Sequence, residues 1–566
     1  MTDQVPDLLV DIQTVQGGFF GNRGIRRYAL GFTRAMLRSD VVRALLLNPS
    51  RAWLEEVPGD IRTAPNLEWA TRRKLRDLTE GGTAAYVMTS PFEQASPTES
   101  VLPSLVVESC TPIIAVLYDL IPEIVDVYPP SLMPGYRARR QLVKDADLVL
   151  TLSEHVQRDA VRRLGVPVER TAVIGAAASE FFRIRDPGER PLDVLAAHVP
   201  RLTRPFVLSV TGWQAHKNVE ALIEAWSRVP PVVRRRYQLV LTCPLPPGGD
   251  TAWNNMAEGV GLAPDEVVVT GRVDDNVVRA LYQQAELFVL PSYEEGFGLP
   301  VLEAACCGCP AITSGSSSLP EVLDWEPATF PPEDVDRMAE TVERGLLDPV
   351  FRADLRAVGD AAARRHSWGR VGERTIDACS RVTAGRKPHR TAPPRIALVG
   401  RFAPPAMPTA IAADRVSAQV PSTWRVDRFD TADPTRRGAA SSASPAPRSG
   451  SYPVRAMGRV RDPWGYDAIV YIVDADPTRE LLDLATAYPG VVWFVEQPAV
   501  HAAIAELTRD ALVIVRPAEL PALAVDAGPF GRSSPSVAVP EIGARDLDAV
   551  LAALGLPAPL VTQPAR

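Results

Sequence analysis

Apolar runs that alternate with helical segments give this chain a parallel α/β architecture, and three stretches carry that expectation. Leu8-Leu9-Val10-Asp11-Ile12, Phe206-Val207-Leu208-Ser209-Val210 and Ala285-Glu286-Leu287-Phe288-Val289-Leu290 each read as a buried strand running into a glycine or polar loop and then a helix. Strands that alternate with crossover helices build parallel sheets. With 566 residues, 46% of them hydrophobic and 23% charged, the chain has the composition of an ordinary globular protein and room for roughly three to four domain-sized units.

The first unit is expected over residues 1–197. Its opening strand leads through Gly17-Gly18-Phe19-Phe20-Gly21-Asn22-Arg23-Gly24 into an amphipathic helix from about Ile25 to Leu37. The loop does not spell GxGxxG, so it gives no dinucleotide fingerprint. Further strands fall at Ile113-Ile114-Ala115-Val116-Leu117 and Leu148-Val149-Leu150-Thr151. The first of these ends in Tyr118-Asp119, and polar groups at the carboxyl ends of parallel strands face the ligand crevice.

The second unit, residues 198–385, opens on Phe206–Val210 and turns through Thr211-Gly212-Trp213-Gln214-Ala215-His216-Lys217-Asn218. A helix follows with Val219, Leu222, Ile223 and Trp226 on one face. Lys217 thus lies where a strand gives way to a helix, a place from which an ammonium can neutralise a diphosphate. Gly271-Arg272-Val273 closes another strand, and a glycine turn there lets the backbone approach a base edge. Residues 386–394 read as a linker, and residues 395–566 as a third unit with strands at Arg395–Gly400, Tyr466–Val473 and Gly490–Val495. Within it, residues 438–453 are rich in Ser, Ala and Pro and are expected to be disordered.

The most informative stretch is Tyr293-Glu294-Glu295-Gly296-Phe297-Gly298-Leu299-Pro300-Val301-Leu302-Glu303-Ala304. It sets Glu295 and Glu303 eight residues apart around a glycine loop that opens a helix. Pro300 suits a first helical turn, and Gly308 with Pro310 ends the helix after about two turns. The amides of Gly296, Phe297, Gly298 and Leu299 lie at a positive helix end, where an anionic diphosphate is stabilised. A carboxylate accepts from paired hydroxyls, so one acid can hold a transferred sugar and the other a ribose.

This segment resembles the donor site of retaining glycosyltransferases of family 4, which have the GT-B fold. The resemblance covers about residues 7 to 383 and includes the Lys217-Asn218 turn, Ala146-Asp147-Leu148-Val149-Leu150-Thr151-Leu152-Ser153-Glu154, Ser314 to Val322, and the closing helix after His366-Ser367-Trp368. The wording around Asp11-Ile12-Gln13 and Arg23-Gly24-Ile25-Arg26-Arg27-Tyr28 is similar to a bacterial polysaccharide mannosyltransferase branch. The resemblance implies two Rossmann-like domains facing a cleft, and hexosyl transfer from a nucleoside diphosphate sugar, nominally GDP-mannose, without a metal or further cofactor. The acceptor it implies is a saccharide or lipid-linked saccharide. Its site would comprise Glu295, Lys217 and Asp119 for chemistry, Glu303, Gly296 to Leu299 and Gly271 to Val273 for the donor, and Gly21, Arg23, Gly24 and Tyr118 on the acceptor side. The chain departs from the family where an arginine usually precedes the lysine, since Thr211 and Gly212 stand there. Arg272 and Arg23 are the candidates to replace it. The third unit looks like the amino half of a second such module, degenerate and noncatalytic.

A net charge of −7 argues against a nucleic-acid partner. Six unevenly spaced cysteines make no disulfide framework, and Cys306, Cys307 and Cys309 lack the companions of a metal site. No leader or membrane-spanning run is evident, so a cytoplasmic protein is expected, with peripheral contact to the inner membrane face if the acceptor is lipid-linked. The basic stretches Arg72-Arg73-Lys74-Leu75-Arg76 and Arg137-Ala138-Arg139-Arg140 read as solvated helix faces. Asp474-Ala475-Asp476 could spell a metal-held diphosphate site or a plain acidic turn. Two other classes stay open: an epimerase or phosphorylase on the same fold, and a noncatalytic sugar-binding protein.

Overall fold

The computed structural model describes residues 6–16, 24–48, 56–92, 102–125 and 133–383, and beyond them 395–400, 413, 425–430, 451–453, 468–473, 481, 491–494 and 513–515. Three parallel sheets organise them. The first holds β1 (Asp7–Asp11), β2 (Val42–Leu47), β3 (Leu67–Trp69), β4 (Ala84–Met88), β5 (Ile113–Leu117), β6 (Leu148–Thr151) and β7 (Thr171–Val173), in the order β3-β2-β1-β4-β5-β6-β7. The second holds β8 (Phe206–Val210), β9 (Gln238–Thr242), β10 (Val267–Gly271), β11 (Leu287–Leu290), β12 (Ala311–Ser314) and β13 (Thr329–Phe330), in the order β10-β9-β8-β11-β12-β13. The third holds β14 (Arg395–Gly400), β15 (Arg425–Asp430), β16 (Ser451–Pro453), β17 (Ala468–Val473), β18 (Val491–Phe494) and β19 (Val513–Val515), in the order β16-β15-β14-β17-β18-β19. In every sheet the order reverses beside the first strand, and ligands of open α/β sheets bind at that switch point, outside the carboxyl ends of the strands.

The helices that position the site are α1 (Gly24–Leu37), α2 (Glu154–Asp159), α3 (Val219–Arg228), α4 (Asp275–Gln284), α5 (Leu299–Cys306) and α6 (Trp368–Ser380). Helix α3 buries Val219, Leu222, Ile223 and Trp226, the face set by its apolar spacing. Helix α6 returns to the first domain. The Trp368 indole donates to the Ala178 carbonyl at 3.0 Å and packs edge-on against Tyr28. Gly31 of α1 makes that contact feasible, because a Cβ there would lie 2.1 Å from the Trp368 ring.

Two expectations need correction. Residues 451–453, placed by composition in the disordered stretch, form β16 and pair with β15, since parallel pairing with 428–430 outweighs a polar composition; residues 438–450 lie outside the described residues. Arg72 does not belong to a solvated face: it is 1% exposed and its guanidinium meets Glu108 at 2.5 Å. Glu108 in turn lies 3.7 Å from Arg395, so the third sheet abuts the first domain there. Among the described residues no helix is long and apolar enough to cross a membrane.

Candidate active site

Strand β11 delivers the chain to the cleft, where Pro291-Ser292 breaks the ladder and Gly298, at φ +101°, starts α5. A side chain at that φ would be strained, which explains the glycine. No side chain caps α5, so its positive end is left to the loop. Glu295 is held on several sides. Lys217 Nζ lies 2.7 Å from its Oε1, and the Ser292 hydroxyl donates to the same oxygen at 2.7 Å. Its own N–H donates to Ser317 Oγ at 3.1 Å, and Ser318 Oγ donates to its carbonyl at 2.8 Å.

Lys217 reaches this point because the next residue, Asn218, takes the left-handed conformation at φ +55°. Its amide donates to the carbonyls of Pro291 and Pro332, at 3.1 and 2.7 Å, which ties the β8 turn to the β11 turn. His216 beside it is buried and pushed down to about 4 by that burial; its carbonyl accepts from the Tyr293 N–H at 2.7 Å.

The first domain closes directly on the loop. A Cβ on Gly296 would stand 2.1 Å from the Tyr118 carbonyl oxygen and 3.2 Å from the Asp119 Cβ. Burial raises the Asp119 carboxyl above the usual range, against the Ile121 N–H at 3.0 Å and the nearby Lys217 cation, both of which favour its charged form. Around the start of α2, Ser153 Oγ donates to the Gly296 carbonyl at 2.8 Å, and the N–H groups of Glu154 and His155 both donate to the Glu321 carboxylate at 2.8 Å. His155 meets Glu294 at 3.0 Å, and that hydrogen bond raises the imidazole above its ordinary value.

Glu303 sits one turn into α5 and is 3% exposed. Burial pushes its carboxyl up to about 7, opposed by Arg27 and by the Tyr282 hydroxyl. Arg27 Nη1 lies 3.2 Å from Oε1, and Tyr282 donates to Oε2 at 3.2 Å. The other arm of Arg27 pairs with Asp275. Arg27 belongs to α1, so this contact also spans the domains.

Gly271, at φ +68°, with exposed Arg272 and half-buried Val273, ends the edge strand β10, two strands from β8. Gly24 starts α1, and Tyr118 is buried with its ring edge-on to Tyr28 at 5.1 Å. Gly21, Arg23 and the Asp474-Ala475-Asp476 turn lie outside the described residues. Cys306, Cys307 and Cys309 are free thiols, pushed upward by burial.

Sequence reasoning missed Arg27, His155, Ser292 and Glu321. Their partners lie from 3 to 276 residues away along the chain, and only Ser292, three residues before Glu295, had a local signal.

Fold and site define a GT-B protein whose lysine and acids meet at the face between its first two domains. Residues 204–348 match the family described as Glycosyl transferases group 1. It is similar to the serotype-specific mannosyltransferase WbdA of Escherichia coli, 32% identical over 258 residues, covering 46% of this chain and 32% of WbdA. It is also similar to O-antigen chain mannosyltransferase B of Escherichia coli, 31% identical over 242 residues, 43% of this chain and 62% of the relative. The aligned part spans about a third of the length of the WbdA relatives. Among solved structures, Anabaena Alr3699/HepE in complex with UDP and glucose matches 66% of this chain and 100% of its own, at 16% identity and a TM-score of 0.51, a likeness of fold.

Proposed function

We propose that this chain is a retaining glycosyltransferase that moves a hexose from a nucleoside diphosphate sugar to a saccharide or lipid-linked saccharide acceptor in cell-surface polysaccharide synthesis. The hexose is mannose and the donor GDP-mannose, a reading supported by the mannosyltransferase names of its relatives. The observation that carries the proposal is the meeting of Lys217 and Glu295 beside the uncapped start of α5, directly under Asp119 of the opposite domain.

The chemistry asks for this arrangement. As the bond from the sugar's anomeric carbon to the diphosphate oxygen breaks, negative charge grows on the phosphate and positive charge on the sugar. Groups aimed at the phosphate therefore lower the barrier. Lys217 and the amides of Gly296 to Leu299 take that role, while Glu295 grips sugar hydroxyls. The acceptor oxygen attacks the same face, and its proton passes to the departing phosphate. Asp119 orients sugar or acceptor from the first domain, Glu303 accepts the ribose hydroxyls, and Gly271 to Val273 border the base. Gly21, Arg23, Gly24 and Tyr118 border the acceptor. The protein works in the cytoplasm; with a lipid-linked acceptor, contact with anionic lipid falls to exposed arginines such as Arg73 and Arg137.

A donor screen tests this reading. Purified protein with GDP-, UDP- and dTDP-sugars and a membrane extract as acceptor, read by mass spectrometry, should add one hexose to the acceptor. An epimerised donor or a free sugar phosphate formed without acceptor would reject transfer.

A further inference from the structure

We propose that Arg27 is a positioning residue that keeps Glu303 a carboxylate across the closed cleft, so that domain closure itself readies this acid for the ribose of the donor. The inference rests on the reading of Glu303 as the ribose acceptor. Nothing in the sequence pattern pairs the two residues, which stand 276 positions apart.

Glu303 is placed where its charge needs help. It is 3% exposed, packed under α4 and inside its own helix, and burial alone favours the neutral acid. The groups that face it are few. On its own helix stand Cys306 and Cys307, both neutral thiols held high by burial. From α4 come the Tyr282 hydroxyl, which donates to Oε2, and Asp275, whose negative charge opposes ionisation further. Arg27, from α1 of the other domain, is the cation that touches the carboxylate, at 3.2 Å. Asp275, on the same side of the cleft as Glu303, takes the second arm of the guanidinium, and the Phe182 ring of the first domain lies beneath it at 5.3 Å, so in the closed form Arg27 is clamped between the two domains.

Ionisation decides what Glu303 can bind. A carboxylate offers about four acceptor directions, whereas the acid turns one oxygen into a donor. Arg27 occupies one direction on Oε1 and Tyr282 one on Oε2. Among the described residues one direction on each oxygen is left, which matches the two adjacent hydroxyls of a ribose. Because Arg27 arrives with the first domain, an open form leaves Glu303 with the hydroxyl and the repelling Asp275 alone. Nucleotide enters the open form, and closure then fixes the carboxylate.

The test is the pH dependence of nucleotide affinity, measured by isothermal titration with GDP, with UDP as a second probe, from about pH 5.5 to 9. In the parent protein affinity should rise through about 7, and binding near pH 6.5 should release a proton, seen as a dependence of the heat on the buffer. Arg27→Ala should move the midpoint upward by about one to three pH units and weaken binding at neutral pH about tenfold or more. Arg27→Lys returns a cation and should bring the midpoint back down. Glu303→Gln should lose both the pH step and the proton release. If Arg27→Ala keeps the parent midpoint while Glu303→Gln flattens the curve, the role of Arg27 is overturned and the ribose reading stands. If Glu303→Gln binds with the parent profile, the ribose reading falls and this inference falls with it. A plain structural ion pair would lower stability in Arg27→Ala without moving the midpoint.

Discussion

Glu295 and Glu303 lie at the two ends of one short loop and helix, yet they are held in opposite ways. Glu295 finds its cation within its own domain, in Lys217, and its hydroxyl donor three residues away, in Ser292. Among the described residues, the cation paired with Glu303 is Arg27 of the other domain. The first pair exists whether or not the domains meet; the second depends on closure. One repeat of acids thus carries a pair formed within one domain at Glu295 and a pair formed across the domains at Glu303.

The largest effect should come from the standing pair. Glu295→Ala and Lys217→Ala should each lower turnover by about 10² to 10³-fold, measured with donor and acceptor at saturation, because in the proposed reaction Lys217 meets the charge developing on the phosphate and Glu295 positions the sugar. Lys217→Ala should also cost stability, of the order of 3–5 kcal/mol at most, since it strands the largely buried Glu295 carboxylate, whereas Glu295→Ala should leave the fold intact. Equal activity of either variant and parent would end the assignment.

Gly296→Ala separates the two ends. Its methyl group would press on the Tyr118 carbonyl and hold the domains apart, while the Lys217–Glu295 pair stays within one domain. Turnover should fall about a hundredfold. Nucleotide affinity should in turn acquire the raised pH midpoint expected of Arg27→Ala. A variant with full turnover would show that closure to this distance is not needed.

The smallest effect concerns His155, which ties α2 to Glu294 beside the standing pair. Its folded value is raised by Glu294, so its contribution is present in full below the ordinary histidine value and is lost as pH climbs through the raised one. His155→Gln should lower the melting temperature by about 2–4 °C below pH 6 and by nothing near pH 9. The same loss at both ends of that range would mean that the contact does not depend on charge.

Much of this was legible in the chain. The strand at Phe206–Val210, the face of α3 and the short run of α5 follow from apolar spacing and from Pro300, Gly308 and Pro310, all local signals. Lys217 and Glu295 could be nominated because each sits at a strand-to-helix turn. Their contact could not, since it depends on β8 and β11 lying side by side and on Asn218 tying the two turns together. The burial of Arg72 was illegible for the same reason: its partner Glu108 lies on another helix.

What the sequence determined alone is the alternation of strand and helix, the glycine loop and the chemical types at its ends, because local periodicity and turn stereochemistry act over a few residues. Tertiary structure decided which cation faces which acid, that Gly296 has no room for a side chain, and that the buried Glu303 meets a guanidinium from the other domain. Those outcomes turn on burial and on charges brought together from distant parts of the chain, and both are properties of the closed fold.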